Sequence, residues 1–290
     1  MIQAVSLIAD LAIIIFVVTS MLDMGLSLTV GQIVGPLRNR RLVALALAAN
    51  FILVPLAALL IIRAIPLQAG HAAGLVLLAT AAGAPFLPKL TQIAKGNIAL
   101  SVGIMVLLMV VTVAYMPVVV PLFLPGVTVN PLDIARSLVV AMLIPLGIGL
   151  LVRARYPGTA DRLRPWFTRL SSAAFLVVFV SMLFVHWRKI LIAFGSSAIL
   201  AALLFVGASL VVGYLLGGRE AEARTVMTLG TTQRNISAAL VVAARNFADP
   251  DVLIMVLTAD LLMLSVLIAL AVVLGRRRSA PVESLKEASK

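Results

Sequence analysis

The chain is 290 residues long, 62% hydrophobic and only 12% charged, with a mean hydropathy of +1.17. That excludes a soluble domain and indicates a polytopic helical membrane protein, because the apolar runs are unbroken instead of alternating as in a transmembrane β-strand. A formal charge of +12 raises nucleic acid as a partner, but the placement of the charges argues against it, and the absence of cysteine removes disulfides, thiol catalysis and thiolate metal sites.

At roughly 20 residues per crossing helix, the sequence reads as nine spans. The first covers 5–28. It lacks a basic leading region and a small-residue cleavage site, so it reads as a retained span and not a signal peptide. A basic loop with Arg38, Arg40 and Arg41 follows. The second span covers 42–64 with Pro55 inside, the third 72–94 and the fourth 98–122. LPGVTVNPLD at 124–133 predicts a turn before the fifth span, 134–151. RARYPGTADRLRPW at 153–166 predicts a basic loop. The sixth span covers 167–186 and the seventh 190–216, with a charged turn at 217–224. The eighth covers 225–247 and the ninth 252–274, leaving a polar tail expected to be loose.

Two spans carry interruptions. AGAPFLPK at 82–89 holds Gly83, Pro85 and Pro88 and then a lone charge, Lys89. Each proline removes a backbone donor and clashes with the preceding turn, so the helix is expected to break there. TLGTTQRN at 228–235 answers it with Gly230, Thr231, Thr232, Gln233 and Arg234. Broken backbone at membrane depth is tolerated only where protein or a wet cavity covers it. Paired interruptions in two halves point to a transporter's binding site. The two lie an odd number of spans apart, so they run in opposite directions, as inverted repeats require. The expected fold is therefore an all-α membrane protein of nine transmembrane helices, built from inverted repeats around two broken crossing helices.

With the N-terminus outside and the C-terminus cytoplasmic, 16 of the 23 Lys and Arg fall in inner loops and 5 at outer ends. That bias sets the expected orientation, in a cell inner or plasma membrane. It also places the excess charge beside the bilayer and not on one nucleic-acid-binding face. Charges inside spans are costly and mark functional candidates: Lys89, Arg234, Asp260 and Asp23, with Asn50 as the notable polar residue of the second span. Asp10, near an outer helix end, reads as structural, and His186 with Trp187 reads as an interfacial anchor. Thr231 or Thr232 is expected to cap the second half-helix of the eighth span, which sets Arg234 among unpaired N–H groups. Two such cations need something negative nearby. Either Asp260 or Asp23 locks them in buried pairs, or a bound organic anion neutralises them. No Ser/His pair, HExxH or facing aspartates support an intramembrane enzyme.

MGLSL at 24–28, ANFILVP at 49–55, AKGNIALSV at 94–102 and TLGTTQRNISAAL at 228–240 resemble, in order, segments of the bile acid:sodium symporter family. The chain is similar to its nine-span form. The resemblance implies a panel domain (1–30 and 131–189), a core in two halves (42–128 and 190–276) and a cytoplasmic tail (277–290). It implies secondary transport of organic anions, such as bile acids or smaller carboxylates, by rocking of core against panel. Sodium-driven members carry a Ser-Asn pair where this chain has Leu87 and Pro88, a Glu where it has Gly230, a Gln where it has Arg234, and a Thr where it has Met105. Asn50 and Ser101 remain as oxygen ligands, with a carbonyl near Thr231 as an addition. The sodium sites are thus expected to be degenerate, with Lys89 and Arg234 replacing the ions and Gln233, Thr231, Thr232, Asn235 and Asp260 nearby.

The leading expectation is a carrier for a small organic anion without sodium coupling, either a uniporter or proton-linked, and without any other cofactor. A conventional sodium symporter is the alternative, and a non-transporting membrane sensor on a transporter fold is the third. The expected partners are the organic anion and the lipid bilayer.

Overall fold

A computed structural model describes residues 2–124, 130–194 and 197–287. Residues 125–129 of the 124–133 turn and the end of the tail lie outside the described residues, as do the side chains of Asp10, His186 and Trp187. Every regular element among the described residues is helical. In chain order they are α1 (Ile2–Ser27), α2 (Val30–Val34), α3 (Arg40–Ala48), α4 (Val54–Ala64), α5 (Ala69–Thr80), α6 (Leu87–Ile93) and α7 (Ile98–Phe123). Then come α8 (Pro131–Leu138), α9 (Ile144–Arg155), α10 (Pro157–Phe194), α11 (Ser197–Leu216), α12 (Ala221–Thr232), α13 (Ile236–Asn246) and α14 (Pro250–Glu287).

Among the described residues six helical stretches are long and apolar enough to cross a bilayer: Leu7–Ser27, Arg40–Ala64, Ile98–Phe123, Pro131–Arg155, Ser197–Leu216 and Pro250–Arg278. The chain is a multi-pass membrane protein. Large apolar side chains such as Leu60, Leu122 and Leu215 are exposed, which in this setting means that they face lipid. Lipid tails compete for apolar contact, so packing between spans depends on small residues and close backbone approach. α1 packs most extensively on α10 and α9. A Cβ on Gly149 would lie 2.8 Å from the Cα of Gly25, so the α1–α9 crossing admits only glycine at that point. On the other side, α14 lies along α5, and α11 lies along α12 and α4.

Two long helices contain a π-helical turn, Ala49–Leu53 and Val139–Leu143, each followed by a proline, Pro55 and Pro145. Proline has no N–H for the carbonyl a turn earlier, and the wider turn relieves the clash of its ring. The carbonyl of Phe51, four residues before Pro55, instead accepts the Tyr115 hydroxyl at 2.6 Å.

Two expectations are corrected here. Residues 153–166 do not form a loop: only Tyr156 separates α9 from α10, and Pro157 takes the first helical position, where its missing donor costs nothing. Arg153 of α9 pairs with Asp161 of α10 across this bend, and Arg164 of α10 pairs with Asp23 of α1 at 3.5 Å. Nor does the last helix end near 274. α14 continues to Glu287, and Arg278 anchors it by donating to Lys95 O (2.7 Å), Ala221 O (3.1 Å) and Thr225 Oγ1 (2.9 Å).

Candidate functional site

The helix is interrupted at 81–86, between α5 and α6, so the break overlaps the expected 82–89 stretch but Leu87, Pro88 and Lys89 are already helical. Gly83 has φ +80, and a Cβ there would meet the backbone of α7 at Met105 O and Met109 N. Only glycine satisfies both the left-handed geometry and the close approach. Thr112 of α7 closes the gap: its hydroxyl accepts from Ala82 N at 2.9 Å and donates to Ala82 O at 3.0 Å. Pro88 lies in the first turn of α6, where proline is tolerated.

The second break is shorter, Gln233 to Asn235, and sits later than the sequence suggests. Thr231 and Thr232 do not cap the following half-helix; they form the last turn of α12, and the Thr232 hydroxyl donates back to Thr228 O at 2.8 Å. Asn235 is the cap of α13, its Oδ1 accepting from Ala238 N at 3.1 Å. Gly230 is not a break residue either. It lies inside α12, where a Cβ would come within 2.8 Å of a Leu87 methyl, so it serves close packing of the two broken helices. Asn235 ties the breaks together: its backbone N–H donates to Ala81 O at 2.8 Å and its amide to Gly83 O at 3.0 Å.

Arg234 is fully buried at this crossing. Its guanidinium donates from Nε to Leu78 O (2.9 Å), from Nη1 to Asn50 Oδ1 (2.8 Å) and Thr231 O (3.0 Å), and from Nη2 to Ala79 O (2.7 Å). Leu78 and Ala79 belong to the last turn of α5, and Thr231 to the last turn of α12. These carbonyls lie at the partially negative C-terminal ends of two helices, and Leu78 O also accepts from Ala81 N at 3.2 Å. The cation is therefore held by two helix C-termini and an amide, not set among helix N-termini. Asn50 is itself fixed, donating to Ala46 O at 3.0 Å and Thr231 Oγ1 at 3.4 Å.

The other expected members of the constellation fall elsewhere. Lys89 is exposed and donates to Gln92 Oε1 at 3.1 Å; the first turn of α6 points it away from the crossing. Neither Asp260 nor Asp23 pairs with Arg234 or Lys89. Asp23 accepts from Thr168 at 2.7 Å and pairs with Arg164. Asp260, on α14, is buried with Oδ1 lacking any hydrogen-bond partner, and Gln233 Oε1 is likewise buried without one. Ser101 is buried but donates within its own helix, to Ile98 O at 2.7 Å. Thr112 and Tyr115 escaped sequence reasoning because a lone hydroxyl in an apolar helix has no spacing signal. Pro55 was the clue for Tyr115, since it predicted one orphan carbonyl.

The oxygen cage that the resemblance implies for sodium does not fit these residues. The guanidinium occupies the acceptors at Asn50 and Thr231, and Leu87 fills the space that a side chain at 230 would need. A separate cavity of about 440 Å³ lies between α1, α8 and α13, lined by Ile14, Val18, Asp133, Arg136, Val241 and Arg245 among others.

The sequence pattern of the Sodium Bile acid symporter family matches residues 12–194, and the chain belongs to that family of membrane transporters, which are not enzymes. The chain is similar to the probable sodium/metabolite cotransporter BASS3 of Oryza sativa subsp. japonica, 25% identical over 76% of this chain and 54% of that protein. It is similar to the corresponding BASS1 of Arabidopsis thaliana, at 25% over 80% and 58%, and to BASS2 of Oryza sativa subsp. japonica, at 26% over 79% and 56%. All three are described as chloroplastic. The chain spans between half and two thirds of the length of these relatives.

Proposed function

We propose that this protein carries a small organic anion across the bilayer without sodium coupling, with Arg234 as a built-in cation at the helix crossing. The observation that carries the reading is the set of four bonds from the Arg234 guanidinium to Leu78 O, Ala79 O, Thr231 O and Asn50 Oδ1. A sodium ion would need the same oxygens and would meet a fixed positive charge. At about 4 Å and an effective dielectric near 20, that repulsion is on the order of 4 kcal/mol. Lys89 has no part in this, as its amine is exposed.

The proposed arrangement is the nine-span form, N-terminus outside, with α1, α8, α9 and α10 as the panel and the remaining spans as the core. The close packing of α1 on α9 and α10 supports that division. Asp260, buried with a free oxygen, is the proposed place for a proton if transport is proton-linked. Conventional sodium symport draws support from the names of the relatives, and a single measurement separates the two. Uptake of labelled organic anions into proteoliposomes is compared under an inward sodium gradient and in potassium or choline alone. Equal uptake is expected; uptake that collapses without sodium defeats the reading.

A further inference from the structure

Arg136 and Arg245 both line the cavity between α8 and α13. Among the described residues neither guanidinium makes a hydrogen bond or an ion pair. The cavity wall beside them is mostly apolar, with Ile14, Val18 and Val241 joined by the polar Ser137 and Asn246. Asp133 also lines it, so the charged side chains sum to a single positive. A planar guanidinium pairs with a carboxylate through two parallel bonds. Two solvent-reachable, unpaired guanidiniums at the rim of a mostly apolar cavity, in a volume typical of small-molecule sites, suit one negative group attached to an apolar body.

We propose that Arg136 and Arg245 recognise the carboxylate of an organic monoanion whose apolar body lies along α1 and α13. The inference rests on the carrier reading above and adds the substrate class and its charge-recognising residues. The two arginines sit on helices assigned to panel and core respectively, so the bound anion bridges the parts that must move against each other. Asp133 works against a second negative charge, which sets monocarboxylates above dicarboxylates.

Purified protein is titrated with benzoate, 3-phenylpropionate, cholate, their amides and succinate, with thermal stabilisation as the readout. The series is run in potassium buffer and again with sodium. At least one monocarboxylate is expected to stabilise while its amide does not. Arg136→Gln and Arg245→Gln should each weaken that binding about tenfold or more, with melting temperatures unchanged in the absence of ligand. Arg136→Lys and Arg245→Lys should retain part of the affinity, and Asp133→Asn should raise the affinity for succinate. The proposal falls if no monocarboxylate stabilises, if amides stabilise equally, or if both Gln variants bind as the parent does. A sodium requirement with the arginine dependence intact sinks the uncoupled-carrier reading and leaves this one standing.

Discussion

Arg234 Nη2 lies 2.7 Å from the carbonyl oxygen of Ala79, so a cation in one broken helix closes the open end of the other. The interaction joins segments 155 residues apart. It turns two helix interruptions, each costly alone at membrane depth, into one connected polar centre.

Replacing Arg234 with alanine takes the guanidinium donor from three buried oxygens, Asn50 Oδ1, Thr231 O and Ala79 O, while Leu78 O keeps Ala81 N. At roughly 1–3 kcal/mol for each unsatisfied group, partly relieved by water, a fall in melting temperature of about 10 °C is expected. Lys89→Ala removes only an exposed bond to Gln92 and should change stability by less than about 0.5 kcal/mol. Scanning fluorimetry of both variants in detergent decides the matter; equal effects would mean that the crossing does not depend on the guanidinium.

Restoring the implied sodium ligands requires making room first. Gly230→Glu alone should destabilise, because its Cβ meets the Leu87 methyl at 2.8 Å and overpacking costs about 1–3 kcal/mol. The triple variant Leu87→Ser, Gly230→Glu, Arg234→Gln should instead gain stability on adding sodium chloride but not potassium chloride. A triple variant indifferent to sodium would show that the crossing differs from its sodium-driven relatives in more than these three side chains.

The two hydroxyls on α7 are expected to matter in proportion to the backbone groups they serve. Tyr115→Phe leaves Phe51 O without its donor and should cost about 1–2 kcal/mol. Thr112→Val strands both the N–H and the carbonyl of Ala82, so the larger loss, about 2–3 kcal/mol, is expected there. Ranking the two variants by melting temperature tests the order.

Asp260→Asn bears on the charge pairing that the sequence suggested. Breaking a buried pair typically costs about 3–5 kcal/mol. With Oδ1 unbonded and no cation within salt-bridge distance among the described residues, the amide should shift the melting temperature by less than about 3 °C. A drop beyond about 10 °C would mean that Asp260 does balance a buried cation.

The composition alone determined a multi-pass helical protein, because unbroken apolar runs have no other stable solution in lipid. Local chemistry likewise pointed to the first break, where Gly83 takes a left-handed φ beside Pro85, although prolines alone do not decide it, since Pro117 and Pro121 lie inside the continuous α7. What the sequence could not decide was where each charge points. Lys89 and Arg234 look alike in a linear reading, both lone cations beside a break. The turn of α6 carries one to the surface, while the fold brings the ends of α5 and α12 around the other. Gly230 shows the same limit: a glycine near a break reads as its cause, but packing against Leu87 makes it part of an intact helix. Helix interruption is a property of neighbours in the chain, and so it is written there; which carbonyls surround a guanidinium depends on segments more than 150 residues apart, and only their packing settles it.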